Sequence, residues 1–250
     1  MTETAVRISL DARLLGVKEG DTLLLHSSLK SLGGGVTPRD VIEGLLDAVG
    51  ESGTLVLPAL SYLTCNKSNP HFDYYKTKSN VGAIPEYFRT EFEGVKRSIS
   101  PTHSCCACGR NADFVTEGHI LDHTPCGKNS PFRRVYELGG KLLFIGCGLG
   151  PNTSMHGVEE LSEPPYLFGE DVEYTLTDAQ GVSVKSVCRS HGFKGVYQRY
   201  DRIYTHLSED ELHFGKILSA DCYLLDAVAT WQKAHELYKQ DSLYFIDKAD

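Results

Sequence analysis

The stretch Asp21-Thr-Leu-Leu-Leu-His26-Ser-Ser-Leu29, followed by Thr37-Pro-Arg-Asp40 and by Gly53-Thr-Leu-Val-Leu-Pro58, decides the fold. Residues 21–26 are a short apolar run bounded by polar residues, the pattern of a strand buried on both faces. Ser27 and Ser28 stand at its carboxyl end, where α/β folds place functional loops. Thr37 suits a helix N-cap, Pro38 the first turn and Asp40 the positive end of the helix dipole. Val41, Ile42, Leu45, Leu46 and Val49 recur at helical spacing, and Gly50 ends the run. Residues 53–58 are a second apolar run. Strand, helix and strand within about 40 residues predict a parallel crossover unit and an α/β fold.

The pattern extends outward. Ser130-Pro131 opens a helix that runs through Leu138, Gly139-Gly140 breaks it, and Lys141–Gly146 is another buried strand. Val172–Thr177 and Val182–Val187 alternate around Asp178-Ala-Gln-Gly181, which predicts a β-hairpin added to the sheet. From Asp221 to Lys239, Leu224, Leu225, Val228, Trp231 and Leu237 suggest one long helix packed on the sheet. The expected architecture is α/β, with a mainly parallel central sheet, helices on both faces and an added antiparallel hairpin. Residues 1–250 are expected to form a single domain.

Composition narrows the function classes. Hydrophobic residues make up 41% of the chain and charged residues 23%, without repeats or low-complexity tracts, as in an ordinary folded globule. A net charge of -8, from 25 Lys and Arg against 33 Asp and Glu, disfavours a nucleic-acid partner and favours a cationic ligand. No basic cap precedes an apolar leader and no run of about 18 apolar residues occurs, so a soluble, cytoplasmic protein without a membrane partner is expected. Eight cysteines spread over this length fit reduced thiols better than a disulfide framework.

Few motifs carry chemistry. Gly146-Cys-Gly-Leu-Gly150 follows a strand, but it lacks the spacing of a dinucleotide fingerprint and the Gly-Lys-Ser/Thr of a phosphate loop. His119, His123 and Cys126 have metal-compatible spacing, and His103 lies near Cys105, Cys106 and Cys108. Paired Cys-x-x-Cys elements are missing, however, and no metal is expected. No spacing singles out a cysteine nucleophile. His156 and Glu159 lie three residues apart, on one helix face if the helix begins at Asn152 or Thr153. Spacing leaves two readings open: a base held by its carboxylate, or a histidine in a helix's first turns beside a solvated glutamate.

Several ordered blocks together resemble the aminoglycoside N3-acetyltransferase family. They are His26-Ser-Ser-Leu-Lys-Ser-Leu-Gly33, the Gly53–Pro58 strand, Phe72-Asp73 with Gly82-Ala-Ile-Pro-Glu86, Arg97-Ser-Ile-Ser-Pro-Thr-His-Ser104, Ser130-Pro131 with the Lys141–Gly146 strand, and Asn152-Thr-Ser-Met-His-Gly-Val-Glu159. The likeness is close over residues 10–165 and looser beyond. It departs at Ser100, where many members carry histidine.

The resemblance implies transfer of acetyl from acetyl-CoA to the 3-amino group of a 2-deoxystreptamine aminoglycoside, and with it antibiotic resistance. It makes His156 the general base and Glu159 its partner. An ammonium cannot attack a thioester until its proton leaves, and a histidine titrating near neutrality suits that task. Direct transfer in a ternary complex needs no enzyme nucleophile. The same resemblance places CoA on Ser27, Ser28, Leu29, Lys30 and Ser31, with Ser104 near the thioester as an oxyanion donor. Asp73, Glu160 and Asp201 are the acidic residues expected to select a cationic substrate. A monomer or homodimer is expected. Three rivals stand beside this reading: the same chemistry on a different amine, a zinc-dependent hydrolase using His119, His123 and Cys126, and a non-catalytic module binding CoA or a cation.

Overall fold

A computed structural model describes residues 1–249. After helix α1 (Glu3–Leu15), strand β1 (Thr22–Ser27), helix α2 (Pro38–Val49) and strand β2 (Thr54–Pro58) form the expected crossover, with β1 and β2 parallel. Thr37 caps α2 in a reciprocal box, accepting from the Asp40 backbone while Asp40 accepts from the Thr37 backbone. Then come β3 (His71–Asp73), α3 (Ala83–Glu91), β4 (Lys96–Arg97), β5 (Cys105–Gly109), α4 (Ala112–Thr116), α5 (Pro131–Glu137) and β6 (Lys141–Ile145). Helix α6 (Met155–Ser162) leads into β7 (Phe168–Thr177), β8 (Ser183–His191) and β9 (Val196–Gln198). The chain closes with β10 (Leu212–Ile217), β11 (Ala220–Asp226), α7 (Ala227–Gln240) and β12 (Ile246–Lys248), which pairs with β9.

The main sheet has seven strands in the order β10-β11-β6-β1-β2-β5-β4. Parallel pairing occupies its centre, β6-β1-β2, and the outer strands run antiparallel to their neighbours. Alternation along each strand divides the core in two. Leu23, Leu25, Leu55, Leu57, Leu143 and Ile145 point toward α1, α2 and α3. Leu24, Val56, Leu142 and Phe144 point toward α4, α5, α6 and α7. Helices therefore cover both faces, as expected.

Two expectations change in detail. The hairpin β7-β8, with its turn at Asp178–Gly181, joins β3 in a separate three-stranded sheet rather than extending the main one. Phe72, Val172, Tyr174, Leu176 and Cys188 form a third apolar cluster beneath it. The expected helix from Asp221 to Lys239 divides into strand and helix. Leu224 and Leu225 lie in β11, where their backbone pairs with Leu143 and Leu142 of β6. Asp226 then caps α7 by accepting from Ala229 N at 2.8 Å. Pairing with a buried strand satisfies the backbone of residues 220–225 without a helix, so helical spacing across the boundary is coincidental.

Candidate active site

A cleft of about 720 Å³ lies between the carboxyl end of the central strands and the small sheet. Leu25, His26 and Ser27 of β1 form one wall; Val172, Tyr174 and His191 of β7 and β8 form another; His156 projects from the first turn of α6. Trp231 of α7 secures that turn, its Nε1 donating to Ser154 Oγ at 2.7 Å.

The His156 side chain is 13% exposed and Glu159 is fully buried behind it. Nδ1–H of His156 donates to Glu159 Oε2 at 2.8 Å. Tyr200 Oη donates to the same oxygen at 2.8 Å and stands 3.0 Å from Nδ1. One hydroxyl proton cannot serve both partners, so Nδ1 carries the ring proton and Nε2 keeps its lone pair on the cleft side. Glu159 Oε1 accepts from Tyr166 at 3.0 Å and Tyr238 at 3.1 Å. Burial, then the nearby Glu159 charge, raises the pKa of all three tyrosines, so they remain protonated donors. A buried carboxylate is thus held by four donors, none of them a Lys or Arg.

Two more imidazoles face His156. Ring centroids lie 5.5 Å apart for His103 and His156, and 5.0 Å apart for His191 and either of them. His103 Nδ1 contacts Thr102 Oγ1 at 2.8 Å. His191 Nε2 donates to Glu160 Oε1 at 2.8 Å, and the same carboxylate takes Thr124 Oγ1 at 2.5 Å and Cys126 N at 2.7 Å. Burial is the main cause lowering the pKa of both His103 and His191, which keeps them neutral at physiological pH.

At the β1 end, His26 stacks on Phe144, and burial, with a contribution from His156, pushes its pKa down to about 3. His26 Nε2, Ser27 Oγ and both polar atoms of Asn152 are buried without protein partners. His26 and Ser27 line the cleft, where such groups favour a ligand or water that completes their bonding.

Several other residues expected from the sequence are occupied elsewhere. Ser28, Leu29, Lys30 and Ser31 follow Ser27 into a one-turn 3-10 helix, Leu29–Leu32, and do not line the cleft. Ser31 Oγ donates to Ser28 O at 2.7 Å and packs over Gly146, whose φ of +64° is open to glycine. Ser104 is fully buried; its hydroxyl donates to Ala59 O at 2.9 Å and accepts from Arg97 Nε, so it cannot serve an oxyanion. Asp73 accepts from the backbone of Tyr75 and Lys76 in a turn outside the cleft. Glu160 supports His191 as described. Asp201 pairs with Arg199 at 3.1 Å and lies on a different, shallower depression.

The His119, His123 and Cys126 set does not assemble among the described residues. His119 Nε2 donates to Pro125 O at 3.0 Å while Ser98 Oγ engages Nδ1 at 3.0 Å, leaving no lone pair for a metal. Burial raises the pKa of every cysteine thiol, to about 12 at Cys106 and about 11 at the cleft-lining Cys147. None is a thiolate nucleophile at neutral pH.

Residues 24–239 match the family model described as aminoglycoside 3-N-acetyltransferase. The chain belongs to that family. Among relatives of this acyltransferase family, the aminoglycoside N(3)-acetyltransferase III of Acinetobacter baumannii is 28% identical over 247 residues, covering 86% of this chain and 84% of the relative. The aminoglycoside N(3)-acetyltransferase VII of Streptomyces paromomycinus is 31% identical over 182 residues, covering 65% of this chain and 62% of that one. Among solved members, AAC-IIIb in a binary complex with CoASH superposes with a TM-score of 0.81 at 25% identity, over 94% of this chain and 96% of its own. A mutant of AAC(3)-IVa in complex with a gentamicin superposes with a TM-score of 0.80 at 27% identity, over 96% and 90%.

The sequence does not single out His103, His191, Tyr166, Tyr200 or Tyr238 as parts of this site. His103 and Tyr200 sit directly beside Ser104 and Asp201, two residues that it does single out. Choosing between neighbours requires the direction of each side chain.

Proposed function

We propose that the protein transfers acetyl from acetyl-CoA to the 3-amino group of a 2-deoxystreptamine aminoglycoside, directly and within a ternary complex, and so confers resistance. The observation that carries this reading is the His156 Nδ1 to Glu159 contact at 2.8 Å, which leaves Nε2 toward the cleft as a base. An incoming ammonium gives its proton to Nε2. The free amine attacks the thioester carbonyl, a tetrahedral intermediate with a cationic nitrogen forms, and the CoA thiolate leaves as that nitrogen gives its second proton to water and the neutral amide closes. The proton on His156 then passes to the thiolate or to solvent. Glu159 holds the imidazole in the productive tautomer and balances its positive charge, the orienting role of a buried carboxylate behind a histidine.

CoA is expected at the carboxyl end of β1. Ser27 offers an unpartnered hydroxyl there, and in the turn that follows the amides of Ser28 and Ser31 are already bonded to Ile145 O and Ser28 O, which leaves those of Leu29 and Lys30 at the start of the 3-10 helix, with the Lys30 side chain exposed for a phosphate. The relative solved with CoASH supports the cosubstrate, and the one solved with a gentamicin supports an aminoglycoside acceptor.

One observation favours a second reading of the acceptor, an amine of lower positive charge. Glu170 is the carboxylate lining the cleft, and it is paired with Lys67 at 2.5 Å. A polycation gains less from a carboxylate that is already neutralised.

Thiol release tests both readings. Purified protein with acetyl-CoA is offered a broad aminoglycoside panel alongside mono- and diamines, and NMR of the product fixes the acetylated nitrogen. Release with aminoglycosides and acetylation at the 3-amino group support the first reading. Release with simple amines alone selects the second. No release with any amine overturns acetyl transfer.

A further inference from the structure

We propose that His103, His156 and His191 form a binding site for a divalent transition-metal ion, with zinc as the best fit, at the centre of the cleft. One nitrogen from each ring lies within 4.8 Å of the others. Tetrahedral zinc with Zn–N bonds of about 2.0–2.1 Å needs nitrogens roughly 3.3 Å apart, so binding draws the three rings together by up to about 1.5 Å.

The surroundings match those of a histidine metal site. In such sites each ligating imidazole binds the ion through one nitrogen and engages a carboxylate or other polar group through the second. Here His156 is held by Glu159, His191 by Glu160 and His103 by Thr102, each at 2.8 Å. The remaining nitrogens have no protein partner among the described residues, and His191 Nδ1 is buried without one. Uncharged imidazoles have the lone pairs a metal requires, and burial keeps His103 and His191 in that form.

Charge points the same way. Glu159, fully buried, and Glu160, whose side chain is 7% exposed, are consecutive carboxylates whose side-chain partners include no Lys or Arg. A buried carboxylate needs a compensating positive charge. A divalent ion held by the three imidazoles supplies two, one for each glutamate, and leaves a fourth position facing the cleft. The soft, imidazole-rich ligand set favours zinc over magnesium or calcium.

The consequence for catalysis rests on the proposed acetyl transfer. The lone pair of His156 that accepts the ammonium proton is the one that binds the ion, so zinc and amine activation exclude each other and zinc acts as a reversible inhibitor.

The test uses the full chain stripped with a chelator. Zinc chloride is titrated against a chromophoric competitor, and cobalt chloride is added separately to read d–d absorption. One zinc per chain and a tetrahedral cobalt spectrum are expected. His191→Ala should weaken binding by about a hundredfold and Glu160→Gln by roughly 10–100-fold, with thermal melting confirming that each variant is folded. The exposed His123→Ala should bind like wild type. Wild-type affinity no tighter than that of His191→Ala overturns the site. Zinc should also abolish thiol release and a chelator restore it; full turnover at saturating zinc overturns the inhibition. Absence of acetyl transfer would defeat the proposed function but leave the titration as the test of the site.

Discussion

The indole of Trp231 fills the space that a side chain at position 157 would need: a Cβ on Gly157 would lie 2.3 Å from the ring's Cη2. Trp231 Nε1 also donates to Ser154 Oγ at 2.7 Å. Helices α6 and α7 therefore meet closely on either side of His156, and the orientation of the proposed base depends on a glycine next to it.

Gly157→Ala should accordingly lower stability by about 1–3 kcal/mol, the usual range for overpacking a well-filled contact. It should also reduce kcat, because α6 must shift to relieve the clash. Chemical denaturation and acetyl-transfer kinetics on the same preparation check both; wild-type values for each would show that the contact yields without moving the helix.

His156→Ala should lower kcat on the order of a hundredfold while changing CoA affinity by no more than about twofold. Glu159→Gln, which keeps the shape but loses the charge behind the imidazole, should lower kcat less. Steady-state kinetics with calorimetric CoA binding separate the two effects. Full turnover by His156→Ala would remove it as the base.

Tyr200 and Tyr238 both donate to Glu159, but to different oxygens: Tyr200 to the one that holds His156, Tyr238 to the other. Tyr200→Phe and Tyr238→Phe should each destabilise the fold by roughly 1–2 kcal/mol through a lost hydrogen bond to a buried charge. Only Tyr200→Phe should also lower kcat. Equal kinetic effects from both would show that the hydroxyls act through stability alone.

Acid should destabilise the protein partly through its buried histidines. Burial, aided at His26 by His156, lowers the pKa to about 3 at His26, and burial lowers it to about 4 at His119. The unfolded chain, with histidines near 6.5, therefore binds protons before the native state does. Their contribution is fully present above about pH 6.5 and is lost as pH falls toward 4 and then 3. Melting temperatures between pH 4.5 and 8 should fall on the acid side, and His119→Gln should flatten that fall. An unchanged slope would assign the acid sensitivity to carboxylates.

The fold is legible where local signals agree. Apolar runs on β1, β2 and β6, the Thr37-Pro38-Asp40 start of α2 and the glycine after it all specify structure through neighbouring residues, and all form as expected. Legibility fails at Leu224 and Leu225, where strand and helix signals overlap. Pairing with β6, about 80 residues away in sequence, decides in favour of a strand.

The site follows the same division. Helical spacing alone puts His156 and Glu159 on one face, and the structure brings them to 2.8 Å. The sequence points to Ser104 where His103 faces the cleft, and to Asp201 where Tyr200 does. Neighbouring side chains point in different directions: Ser104 turns into the core beside His103, and Asp201, in the 3-10 helix Tyr200–His206, turns to solvent beside Tyr200, so an error of one residue leaves the cleft.

By itself the sequence determined the α/β frame, the family likeness and the placing of His156 and Glu159 on one face of a single helical turn. Tertiary structure decided the rest: which glutamate holds His156, which supports His191, and that residues 103, 156, 191 and 200 converge on one cleft. Those positions lie far apart along the chain, and their meeting is fixed by long-range strand pairing and helix packing, which no local pattern of residues encodes.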